Sequence, residues 1–299
     1  MGLSISHNNF LESFDNIGSF DIGKNKLNLF TLKINANEFD YNNLQKKLLE
    51  PMADFSLSRM IKEKYKDRPV ELSKKAREKF IDYINNKGGE LGELLLYCFL
   101  ESHLKAPKIL SKLELKTSTN HYVNGADGVH YLKLEDGNYQ LIFGESKIEK
   151  KLTSGLTNAF RSINEFKQEN NTKGDRKSGI NYEKSLISDN IEREFSGEEE
   201  KFIKNIVYPG GQNDYEVDDA FGIFIGYEIT VPNEDKCLPN SDFREKIKEK
   251  IKKEIQGKLQ HIQGKIDVHN LQGHNFYIYI LPFTELDKNR KNIIKNITS

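Results

Sequence analysis

Three residues within GADGVHYLKLEDGNYQLIFGESKIEKK (125–151) have the types and spacing for metal-assisted chemistry: Asp127, Glu145 and Lys147. Two strand-like runs, DGVHYLKLE (127–135) and NYQLIFGESK (138–147), flank Asp136-Gly137, a strong short-range hairpin signal. Alternation along the second run puts Tyr139, Leu141, Phe143, Glu145 and Lys147 on one face, so Glu145 and Lys147 project side by side from the strand's end. With an odd loop such as Glu135-Asp136-Gly137, paired residue numbers sum to 272 and Asp127 falls opposite Glu145. A two-residue loop makes the sum 273 and turns Asp127 to the other face, unless a bulge at Gly128 or Gly144 restores the meeting. The prediction is therefore an odd loop or a bulge.

Two carboxylates meeting at a hairpin end form a hard-oxygen pocket suited to Mg²⁺ or Mn²⁺, which keep several waters that a substrate phosphate can displace. A lysine within reach of both could orient or deprotonate an attacking water, or offset charge that builds on a phosphate. Together these are the parts of a metal-dependent phosphodiesterase. Taken alone, Glu-x-Lys is a common tripeptide in a chain that is 30% charged, and carboxylates at strand ends are usually solvated. The conjunction with the flanking elements is what carries weight.

Those elements begin with GGELGELLLYCFLESHL, from Gly88, apolar on most sides and read as a largely buried helix. Its exceptions, Glu90, Glu93, Tyr97 and Glu101, fall in one polar stripe by their spacing. LELKTST (113–119) reads as a strand ahead of the hairpin. After it, Leu156, Ala159, Phe160, Ile163 and Phe166 recur at helical spacing, with Ser154, Asn158 and Arg161 on or near the other face. Residues 170–214 read as a helical insertion. FGIFIGYEITV (221–231) and NFYIYILPF (275–283) are buried strands. Between them, one long helix carries Ile247, Ile251, Ile255, Leu259 and Ile262 on a single face, capped by Ser241. Upstream, the first 84 residues read as a mainly helical extension entered by one strand, LNLFTLKIN (27–35), with its helices broken at Pro51 and Pro69. The fold class is α/β, with one unit from 85 to 299.

Composition narrows the function classes. The 45 basic residues balance 45 acidic ones, which argues against simple DNA coating by net charge. Cys98 sits in an apolar run and Cys237 is far away, a pattern that suits a reducing cytoplasm. No run approaches the roughly eighteen apolar residues of a membrane span.

The order helix, three strands, helix, strand, with Asp on the second strand and Glu-x-Lys on the third, resembles the PD-(D/E)XK nuclease core, a restriction-endonuclease-like αβββαβ arrangement with a mixed sheet flanked by helices. More narrowly, GELGELLLY, GADGVH, LIFGESK and SGLTNAFRSI resemble the HamA family, nuclease subunits of the Hachiman anti-phage defence system. The likeness spans roughly residues 85–285, and its specific part 88–166. It implies a metal-dependent, largely sequence-nonspecific DNA endonuclease that uses Mg²⁺ or Mn²⁺ and is held inactive by a superfamily 2 helicase subunit, HamB, within a heteromeric complex. Residues 1–84 would then be a partner-docking region. Asp127 and Glu145 would be metal ligands with the main-chain carbonyl of Ser146, and Lys147 would position the water. The family's helix glutamate corresponds to Glu93 or Glu90, with Glu93 favoured because it lies deeper in the helix and follows the small Gly92. The family's Pro-Asp is Ala126-Asp127 here, and the proline is not a ligand.

Substrate contacts are expected from the basic stretch that follows the site. Ser146 to Lys177 holds eight Lys and Arg against four Asp and Glu, and Lys150, Lys151 and Arg161 are the leading phosphate contacts, assisted by Ser154 and Asn158. A solvated basic helix face would look the same. His121 and His130 flank Asp127, and His130 faces away from it under strict alternation. No His or Cys pair has zinc-ligand spacing.

Overall fold

The computed structural model describes residues 3, 9–84, 89–116, 125–169, 179–210 and 213–299. In the N-terminal part, β1 (Phe14–Ile22) and β2 (Asn25–Leu32) form an antiparallel hairpin, and the short pair β3 (Ile34–Asn35) and β4 (Glu38–Phe39) follows. Then come helices α1 (Tyr41–Ser56), α2 (Arg59–Lys64), α3 (Pro69–Ile84) and α4 (Glu90–Ser102). The central part runs β5 (Lys108–Ser111), α5 (Lys112–Lys116), β6 (Gly128–Lys133), β7 (Tyr139–Glu149) and α6 (Leu152–Gln168). Helices α7 (Ile180–Glu194) and α8 (Gly197–Val207) fill the segment read as a helical insertion. The rest is β8 (Val217–Glu228), α9 (Asn233–Lys236), α10 (Asn240–Gln256), α11 (Leu259–Val268), β9 (Phe276–Phe283) and α12 (Leu286–Thr298).

Seven strands make one mixed sheet in the order β1-β2-β9-β8-β7-β6-β5. Its centre, β2, β9, β8 and β7, is parallel; the pairs β7·β6, β6·β5 and β1·β2 are antiparallel. Helices cover both faces. On one, Phe99 of α4 stacks on Phe224 and Tyr279, and Tyr41 of α1 on Phe283. On the other, Phe166 and Phe160 of α6 meet Phe143 and Phe276. Each such side chain, fully buried, is worth about 1.5–3 kcal/mol, so the two-sided cover explains why the central strands read as continuous apolar runs. No helix among the described residues is long and apolar enough to cross a membrane.

Several details differ from the sequence reading. The first strand of the core is KILS at 108–111, and the residues read as strand 113–119 begin instead in α5, with 117–119 outside the described residues. The N-terminal region contributes a strand pair to the sheet, not one strand, and β2 lies parallel beside β9, so residue 84 is not a boundary of the sheet. Strand β1, FDNIGSFDI, escapes notice because an edge strand with one wet face keeps many polar residues. Pro51 lies inside α1 without ending it, while Pro69 opens α3, where its missing N–H costs nothing. The helix read as continuous to Ile262 stops at Gln256 and resumes at Leu259. Ser241, expected as its cap, lies inside the first turn of α10 and donates to Asp242 Oδ1, so it does not cap the helix.

Candidate active site

The β6–β7 hairpin closes on a three-residue loop. Leu134 O accepts from Gly137 N at 3.1 Å and Leu134 N donates to Asn138 O at 2.8 Å, with Gly137 at φ +92°, a conformation glycine adopts without strain. Pairs such as Val129 with Phe143 and Lys133 with Tyr139 sum to 272, so the odd loop is the one observed. Asp127 immediately precedes β6, and its N–H donates to Gly144 O at 2.8 Å. Its carboxylate turns into the gap beyond the strand's end. There Oδ2 accepts from Ser146 N at 2.7 Å and Ser146 Oγ at 2.8 Å, and Oδ1 accepts from Lys112 Nζ at 2.9 Å. Glu145 and Lys147, two and four residues beyond Phe143, point to the α6 face and form an ion pair with each other. Asp127 therefore does not lie face to face with Glu145 as the pairing alone predicts. Its carboxylate lies against Ser146 and Lys112 on the α4 side, Glu145 projects from the α6 face, and the two charges interact across the end of β7.

The helix α4 supplies the opposite wall. All thirteen of its residues are buried, including Glu90, Glu93 and Glu101, so the polar stripe is an internal one and not a solvated face. Glu93 Oε1 lies 3.5 Å from Lys112 Nζ and its Oε2 accepts from the hydroxyl of Tyr83, which α3 delivers. Lys112 therefore ties Glu93 to Asp127, and of the two glutamates considered it is Glu93 that joins the cluster in this way. The helix comes this close to β7 because residue 92 is glycine: a Cβ there would stand 3.1 Å from Ser146 Oγ and 3.3 Å from Ile148 Cγ1.

Electrostatics separate the two carboxylates. Burial raises the Asp127 carboxyl, but Lys112, Lys147 and the Ser146 hydroxyl outweigh it and hold Asp127 below the usual carboxylate range. Burial, aided by the negative charge of Asp127, pushes Glu145 above its usual value despite Lys147 beside it. Burial works against a charged Lys147 and Lys112, yet the surrounding carboxylates win in both cases and keep the ammonium groups protonated.

The donor set suits one hard divalent cation. Among the described residues no three His, Cys, Asp or Glu side chains converge on one point. The set on offer is two carboxylates, Asp127 and Glu145, with a main-chain carbonyl. Since Gly144 O accepts from Asp127 N and Ser146 N points at Asp127 Oδ2, strand alternation places the Ser146 carbonyl on this same side, past the end of β6. Oxygen donors of this kind fit Mg²⁺ or Mn²⁺.

The expected substrate contacts line the neighbouring surface. Lys151 is exposed at the start of α6, Ser154 is partly buried in its first turn, and Lys150 is exposed and faces Asp287 at 3.3 Å. Asn158 donates to Glu149 Oε1 at 2.5 Å and accepts from Arg161 at 2.8 Å, so these two are joined to the end of β7. His130 is buried with Nδ1 2.9 Å from Ala106 O, and it lines the same cavity as Glu93 and Asp127 without a hydrogen bond to either; His121 lies outside the described residues. Sequence reasoning misses Lys112 and Tyr83, and it gives Ser146 only a carbonyl role, whereas its N–H and hydroxyl orient Asp127. Lys112 lies at the edge of a segment read as strand, and Tyr83 in a region read as outside the core. Neither has a local signal.

Comparison with family models matches residues 7–297 to the family described as HamA. Comparison with curated proteins gave no match.

Proposed function

The chain belongs to the HamA family, and on that footing we propose that it is the nuclease of a Hachiman anti-phage defence complex, a metal-dependent endonuclease that cuts DNA with little sequence preference under the control of a helicase subunit. The observation that carries this reading is the junction at the end of β6, where Asp127 is bonded to Ser146, the residue between the ion-paired Glu145 and Lys147. Asp127, Glu145 and the Ser146 carbonyl would hold Mg²⁺ or Mn²⁺. The ion would supply Lewis-acid chemistry toward the phosphodiester and its attacking water. Ser146 fixes the Asp127 carboxylate through two hydrogen bonds, so little reorganisation is needed. Lys147, kept protonated by Glu145, is suited to orient the water and offset charge on the phosphate and is a poor base in that state. Lys150, Lys151 and Arg161 would take the neighbouring phosphates, with Ser154 and Asn158 assisting.

The test is plasmid cleavage by the chain with its helicase partner, Mg²⁺ and ATP. The Glu145→Ala, Lys147→Ala double variant is expected to lose cleavage by about 100-fold or more, the scale on which single electrostatic groups act. Equal cutting by wild type and variant rejects the assigned site.

A further inference from the structure

Lys112 is attached to Asp127 at both ends. Its N–H donates to Asp127 O at 3.4 Å and its Nζ to Asp127 Oδ1 at 2.9 Å, and the same Nζ lies 3.5 Å from Glu93 Oε1. Its side chain is only 15% exposed, so this is a fixed internal charge and not a surface lysine. A point flanked by two carboxylates from different elements is otherwise a place where a second divalent ion could sit. An ion there would need both oxygens at about 2.1 Å and would be driven against the ammonium by like-charge repulsion.

We propose that Lys112 takes the place of a second metal ion between Glu93 and Asp127, so that the chain binds a single divalent cation at Asp127, Glu145 and the Ser146 carbonyl. This rests on the metal-dependent reading above. Charge supports it. Glu93, Asp127 and Glu145, with the buried Glu90 one turn from Glu93, stand against Lys112 and Lys147 and leave two negative charges in excess. One divalent ion balances that. A second would leave a large positive excess beside two fixed ammonium groups.

Mn²⁺ titration of the purified full chain, followed by electron paramagnetic resonance, counts the sites. Wild type is expected to bind one Mn²⁺, and Asp127→Asn none. Lys112→Met is expected to bind two, with the broadened spectrum of a spin-coupled pair, and Lys112→Arg one. Two Mn²⁺ in wild type, or one in Lys112→Met, overturns the inference while leaving the metal-dependent reading intact. No Mn²⁺ in wild type removes that reading and the inference with it. Should Lys112→Met fail to fold, the wild-type count and the effect of Glu93→Gln decide: with Lys112 as the occupant, Glu93→Gln keeps the single site within about threefold of its affinity, and a lost site overturns the assignment.

Discussion

A Cβ on Gly92 would stand 3.1 Å from Ser146 Oγ, the hydroxyl that donates at 2.8 Å to Asp127 Oδ2. The absence of a side chain on α4 and the orientation of a carboxylate on another element are thus one geometric fact. Gly92→Ala must move α4 or Ser146 by a few tenths of an ångström. Alanine's better helix propensity, about 1 kcal/mol, offsets much of the packing strain. The expected result is a melting temperature close to wild type with DNA cleavage lowered about tenfold or more, because small displacements of positioned groups are costly. Cleavage at the wild-type rate in a variant confirmed to fold would show that the Ser146 contact does not matter to the chemistry.

Tyr83 and Glu93 couple the N-terminal helices to the site, since the hydroxyl of Tyr83 is a donor to Glu93 Oε2 in a buried setting. Tyr83→Phe removes one donor from a carboxylate, which costs about 1.5–3 kcal/mol for a hydrogen bond to a charged group. In a double-mutant cycle with Glu93→Ala, urea unfolding should give a coupling energy above about 1 kcal/mol, whereas independent sites add within about 0.5 kcal/mol. Additive behaviour would mean that the contact contributes nothing specific.

The hairpin is readable from the sequence because its determinants are local. Asp136-Gly137 specifies the turn, period-two alternation specifies the faces, and a one-residue slip would bury the wrong set. The buried helix α4 is readable for the same reason, but the state of its glutamates is not. Glu93 looks like part of a polar stripe until Tyr83 arrives from a segment read as a helical extension and Lys112 from the edge of one read as a strand. Those are tertiary meetings between elements that hydrophobic periodicity does not report. The same holds for β1, whose partner β2 runs beside β9 from the far end of the chain.

Beneath the site, Lys108 and Glu114 form an ion pair at 3.0 Å with both side chains almost fully buried, and Lys108 also donates to Asp54 O at 2.7 Å. Glu114→Gln keeps an acceptor for Ser111 N, which now bonds Glu114 at 2.5 Å, but it removes the charge and turns an amide NH₂ toward the Lys108 ammonium in place of the second oxygen. It leaves the Lys108 ammonium buried without its counter-charge, a situation that typically costs about 3–5 kcal/mol. The pair Lys108→Met, Glu114→Leu should recover much of that loss, because apolar replacement of a buried ion pair is often near neutral. Chemical unfolding of the three proteins decides the matter: a double variant no more stable than Glu114→Gln would place the value of the pair in its other hydrogen bonds.

His130 gives the fold a pH dependence with a defined sign. Burial, opposed by the Ala106 carbonyl and reinforced by Lys108, lowers its pKa from 6.5 to about 4, so the folded chain holds it neutral. Between those values the unfolded chain binds the proton more tightly, and stability falls as pH falls. The contribution is complete above pH 6.5 and is progressively lost down to about pH 4. With these values the loss from neutral pH to about pH 5 is about 2 kcal/mol from this one group. His130→Gln cannot titrate, so its stability should fall about 2 kcal/mol less than wild type over that interval, whatever its absolute stability. Urea unfolding of both proteins at the two pH values measures the difference. Parallel pH profiles would mean that His130 has the same pKa in the folded and unfolded chains, so that its burial does not disfavour the imidazolium.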